Sequence, residues 1–104
     1  MGFEPEPTSY IRTAISDLQG AWQCLRAEVV DNFGFADSDT LLLHIDEAMS
    51  WEAVRDFEKM KSALLIVGNL IAQSNPPGDI PELLQSVREH FEEAILAIKE
   101  GEAE

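Results

Sequence analysis

Two pairs of carboxylates stand at a spacing that could hold a divalent cation. Glu28 and Asp31 are three residues apart, as are Glu89 and Glu92. On a helix each pair would share one face and could hold magnesium against a nucleotide's phosphates, the chemistry of a magnesium-dependent all-α phosphohydrolase. The signal has low specificity. A chain with 20 acidic residues produces such pairs by chance, and a solvated acidic face is the plainer reading. A triphosphate would also want basic residues nearby, and those in the middle of the chain have acidic neighbours that could neutralise them.

The remaining reactive groups are no stronger. His44 and His90 lack the Glu-x-x-His and His-Glu-x-x-His spacings of helical metal sites. Asp37-x-Asp39 matches the first two ligands of a calcium loop, but the glycine and the closing glutamate are missing. Neither a glycine-rich phosphate loop nor a serine-nucleophile elbow is present. Cys24 is the single cysteine and falls between Trp22 and Leu25. It reads as a small hydrophobe near a helix interface, because no His or Asn is tied to it by a motif, and it suits a reducing compartment. The expectation is a protein with no catalytic residue, no cofactor and no metal.

Charge points to a class of partner. The net charge is -13 at pH 7, which repels phosphate backbones and anionic lipid and attracts a protein with a basic patch. No apolar run approaches the length of a membrane span, and residues 1–20 lack the basic start and hydrophobic block of a signal peptide. A soluble, cytoplasmic protein is expected, with no direct nucleic-acid or membrane contact. The acidity is uneven. Across residues 51–75, Glu52, Asp56 and Glu58 are balanced by Arg55, Lys59 and Lys61, while the segments on either side are acidic.

Aromatic residues supply candidate anchors. Phe33 and Phe35 flank Gly34 between acidic segments, and they either plug the end of the core or remain outside to grip a partner. Trp51, off the stripe of its own helix, raises the same question. Together with Asp37, Asp39, Asp46, Glu47, Glu89, Glu92 and Glu93, these three aromatics form the candidate partner-binding set.

What must position these residues is a set of helices. Three stretches share apolar steps of four, three, four, three and four: Ile11/Ile15/Leu18/Trp22/Leu25/Val29, Ala53/Phe57/Met60/Leu64/Val67/Ile71 and Ile80/Leu84/Val87/Phe91/Ala94/Ile98. That period puts each set on one stripe, as helices packed nearly antiparallel require. The first helix runs from a Thr8 or Ser9 cap to Asp31 or Asn32, with Gly20 read as a close approach beside Trp22. Residues 40–49 form a short helix capped by Asp39 or Thr40, since a lone strand would have nothing to pair with. A bend at Met49-Ser50, with Ser50 as cap, leads into a helix from Trp51 to Gln73. Its run Ala63-Leu64-Leu65-Ile66-Val67 marks it as the most buried element. Asn75-Pro76-Pro77-Gly78 ends it, and Asp79 caps a last helix that frays near Gly101.

The expected fold is therefore all-α, a small antiparallel helical bundle of three long helices plus one short helix. Residues 1–8 form an extended Pro-rich arm, 9–100 the single bundle domain and 101–104 an acidic tail. The expected function is that of an acidic, homodimeric protein-binding regulator that inhibits a partner by occluding its surface, as an antiactivator or inhibitor does. Its target could be a DNA-binding protein. A DNA mimic and a toxin-immunity protein are alternatives within the binding class, and the magnesium phosphohydrolase is the enzymatic one.

Overall fold

A computed structural model describes residues 7–102, with side chains from Thr13 to Glu100. Four helices account for almost all of it: α1 (Pro7–Asp31), α2 (Ser38–Ala53), α3 (Phe57–Ser74) and α4 (Ile80–Glu102), with no strand among the described residues. Loops this short return each helix against its predecessor. Side-chain contacts confirm the antiparallel course. Gln19 reaches Glu52 and Arg26 reaches Asp46 between α1 and α2. The Lys59 ammonium lies over the Trp51 ring between α3 and α2. Glu28 meets Asp79 where α1 ends and α4 begins. The helices form a ring in which α1 neighbours α2 and α4 and α3 neighbours α2 and α4, while the backbones of the diagonal pairs stay apart across the shared core.

The stripes face inward. Leu18, Trp22, Leu25 and Val29 of α1 are fully buried against Leu41 and Ile45 of α2, Met60 and Val67 of α3, and Ile80 and Val87 of α4. Pro7 and Thr8, expected within an extended arm over residues 1–8, belong to α1. Pro7 suits a first helical position, where its missing N–H costs nothing. Residues 1–6 and the tail residues 103 and 104 lie outside the described part.

The boundary between the middle helices differs from expectation. α2 is the shortest helix, yet it continues through Met49, Ser50 and Trp51 and stops at Ala53. The stop is a Schellman motif: the Asp56 N–H donates to the Trp51 carbonyl and the Arg55 N–H to the Glu52 carbonyl, with Arg55 left-handed at φ 60°. Asp56 then caps α3, its carboxylate accepting from the Lys59 N–H at 3.2 Å. Ala53 thus belongs to α2 and is exposed. Nor is α3 buried all round, since Leu65 and Ile66 face solvent. The α3–α4 contact is the slightest in the ring.

Two residues of α1 also sit otherwise than expected. Cys24 is exposed rather than at an interface. Gly20 makes no close approach, because a Cβ placed there would meet nothing within 4 Å. Gly20→Ala is accordingly expected to stabilise the protein by about 0.5–1 kcal/mol, the helix-propensity gain in open space. Urea unfolding would show it as a raised midpoint with an unchanged slope.

Candidate functional site

The two carboxylate pairs are held apart. Glu28 serves as a clasp: its Oε2 accepts from the Asp79 N–H at 3.3 Å and from Asn32 Nδ2 at 3.2 Å. Gly78 makes room for it, since a Cβ there would fall 2.5 Å from that oxygen, and its φ of 72° suits glycine. The carboxylate also complements the positive end of the α4 dipole. Glu89 lies ten residues further along α4 than Asp79, or about 15 Å at the helical rise. Among the described residues no group of three or more His, Cys, Asp or Glu is placed to hold a metal ion. Among the described residues the ionic neighbours of the two histidines are local. His44 Nδ1 is 3.0 Å from Glu47 Oε1, and His90 Nδ1 is 3.3 Å from Glu93 Oε1 without hydrogen-bond alignment.

The candidate anchors divide. The Ser38 hydroxyl, buried, accepts from the Gly34 N–H at 3.1 Å and folds the loop between α1 and α2 over itself. Phe35 consequently packs against the core, while Phe33 remains 53% exposed. Trp51 is half-buried against the core, with the Lys59 ammonium 4.7 Å from its ring centroid, so it is no open anchor. Leu43, which the sequence did not single out, is 65% exposed. A shallow cleft of about 390 Å³ joins it to His44, Asp46, Glu47 and Ser50.

The acidic candidates fall into two groups. Asp37 and Asp39 lie exposed at the start of α2, and Asp39 accepts from the Thr40 N–H at 2.8 Å. Asp46 pairs with Arg26 at 2.6 Å, and this hydrogen bond and its charge raise the Arg26 pKa above the usual value. Glu89, Glu92 and Glu93 are exposed on α4. Since α2 and α4 are diagonal in the ring, the two groups do not form one face. Leu43 thus shares its cleft with Asp46 and Glu47, while Phe33, Asp37 and Asp39 are exposed in the α1–α2 loop and the first turn of α2.

A second surface lies between α3 and α4, the neighbouring pair with the slightest contact. An open groove of about 540 Å³ runs between them, floored by Leu64 and Phe91 and edged by Leu65, Ile95 and Leu96. Its charged lining is unusual for this chain: Lys61, Arg88 and Lys99 against a single acid, Glu92. None of the three cations makes an ion pair or side-chain hydrogen bond with a described residue, whereas Arg26, Arg55 and Lys59 are all paired. The guanidinium of Arg88 rests over Gly68, where a Cβ would lie 2.5 Å from Nη2. Of the groove, only Glu92 belonged to the candidate set. The sequence does carry a signal for the rest, because Lys61 precedes Leu64 and Leu65, and Lys99 follows Ile95 and Leu96, by three and four residues.

Comparison with protein-family models, with curated proteins and with solved structures returned no match. No helix of the described residues is long and apolar enough to cross a membrane.

Proposed function

We propose that this chain is a non-enzymatic, acidic protein-binding regulator that docks the corner formed by the α1–α2 loop and α2 onto a basic patch of a partner and inhibits it by occlusion. The supporting observation is the exposure of Phe33 and Leu43 among Asp37, Asp39, Asp46 and Glu47. Apolar anchors inside a charged rim have the anatomy of a protein interface: the anchors supply residence time and the rim supplies steering. The diagonal placement of α2 and α4 favours this reading over mimicry of DNA, which needs acids from several helices on one face. The separation of the Glu28 and Glu89 pairs favours it over a magnesium enzyme.

The test is capture on the immobilised chain from a lysate of the native cell, with quantitative mass spectrometry. The wild type is expected to retain a protein of basic isoelectric point at moderate salt. Phe33→Ser/Leu43→Ser and Asp37→Asn/Asp39→Asn should each lower that retention about ten-fold, the weight of one or two interface anchors. Equal retention by both double variants, or no specific retention at all, would remove the proposal.

A further inference from the structure

The groove between α3 and α4 is a surface of opposite character to the rest of the molecule. A chain with 20 acidic and 7 basic residues gathers three of its cations along one apolar trough, and these are the ones left unpaired among the described residues. We infer that this groove binds an acidic amphipathic helix of a second protein partner. This site is separate from the α1–α2 corner and does not rest on the reading given to it.

Charge complementarity selects the occupant. Arg88 stands at one end of the trough, over Gly68, and Lys61, seven residues before Gly68 on antiparallel α3, and Lys99, further along α4, are both displaced from it toward the other end. Arg88 and Lys99 are eleven residues apart on α4, which is about 16 Å or three helical turns. An occupant must therefore offer carboxylates at both ends of an apolar stripe about three turns long. A three-turn helix does so with apolar residues at i, i+4, i+7 and i+11 and acids at its two ends. A small amphiphile with one carboxylate satisfies one end only, and the trough is open to solvent along its length rather than closed around a tail. A second copy of this chain would bring its own cations to the same seam.

Helix binding would also finish the packing. Leu65 and Leu96 are 59% and 53% exposed on the two rims, directly above buried Leu64 and Phe91. A fifth helix laid between α3 and α4 covers both, which the ring of four leaves undone where α3 and α4 contact least.

The experiment uses the full chain and a fluorescent synthetic helix of about 16 residues, with leucines at that spacing and glutamates at both ends. A matched helix carrying lysines in place of the glutamates is the control. Global charge favours the lysine helix; the groove favours the glutamate helix. By anisotropy the glutamate helix is expected to bind at least about ten-fold more tightly than the lysine helix. Lys61→Gln/Lys99→Gln and Leu65→Ser/Leu96→Ser, all at exposed positions, should each weaken it about ten-fold with the helical circular dichroism unchanged. Phe33→Ser/Leu43→Ser should leave it untouched, so failure here and failure at the α1–α2 corner are read separately. Equal or tighter binding of the lysine helix overturns the inference, as does indifference to the groove substitutions. Binding of oleate without the glutamate helix overturns it in favour of a small amphiphile. Self-association abolished by Leu65→Ser/Leu96→Ser, without peptide binding, overturns it in favour of a second copy.

Discussion

Trp22→Ala is expected to cost about 3–5 kcal/mol, the usual penalty for deleting a large buried aromatic. Trp22 is the largest fully buried side chain, and its place on the middle of α1 puts it against the stripes of the other helices. Because small domains are stable by only about 5–15 kcal/mol, this one change could take most of the margin. Trp22→Phe separates two contributions. The indole Nε1–H is buried with no hydrogen-bond partner among the described residues, a state that costs about 1–3 kcal/mol. Phenylalanine removes that unmet donor while leaving a small cavity, so the two effects oppose each other and the net loss is expected to stay below about 1.5 kcal/mol. Urea denaturation of the three proteins checks this. A phenylalanine variant as unstable as the alanine one would mean that ring volume does not govern the site and that the indole N–H is not an unmet donor.

The parts of this fold that were legible in the sequence are those that local chemistry punctuates. α1 and α4 follow from unbroken stripes, and the stop after α3 is written in Asn75-Pro76-Pro77-Gly78, where Asn75 is left-handed at φ 49°. The α2–α3 junction carries no such mark. Its left-handed residue is Arg55, and an arginine in a position usually given to glycine is invisible to a search for breakers. The periodicity of Ala53 and Phe57 then joined residues that belong to different helices.

The surfaces were less legible, for a tertiary reason. An apolar run such as Leu64-Leu65-Ile66-Val67 says that several faces of a helix are greasy, not which of them finds a neighbour. Leu64 and Val67 meet the bundle, whereas Leu65 edges the open groove beside α4 and Ile66 lines a shallow cleft on the other side, next to Trp51 of α2. In the same way, the fates of Phe33 and Phe35 turn on the Ser38 hydroxyl reaching back to Gly34, a contact that depends on how the whole loop closes. Charge behaved similarly. Lys61 has acidic neighbours in sequence, yet its side chain has no ion-pair partner among the described residues and stands at the rim of an apolar trough.

Gln19→Ala is expected to destabilise the bundle by about 1.5–3 kcal/mol, the scale of a hydrogen bond to a charged group. Glu52 is a carboxylate only 4% exposed, in the last turn of α2, where the negative end of the helix dipole opposes it. Its donors hold it there. Gln19 Nε2 reaches both oxygens, at 2.9 and 3.0 Å, across from α1. Arg55 Nη1 adds a contact at 3.2 Å, made from the left-handed residue that ends the helix. Without the Gln19 amide, the carboxylate keeps one partner whose exposed charge is screened by water. Removing the carboxylate is milder. In Glu52→Leu the exposed Gln19 and Arg55 side chains return to water and the buried position becomes apolar, so the cost is expected to stay within about 1 kcal/mol. The double variant should then be more stable than Gln19→Ala alone, a coupling that a double-mutant cycle in urea reads directly. If Gln19→Ala instead unfolds at the wild-type midpoint, Glu52 is served by water, and the clasp between α1 and α2 contributes nothing to closing that end of the bundle.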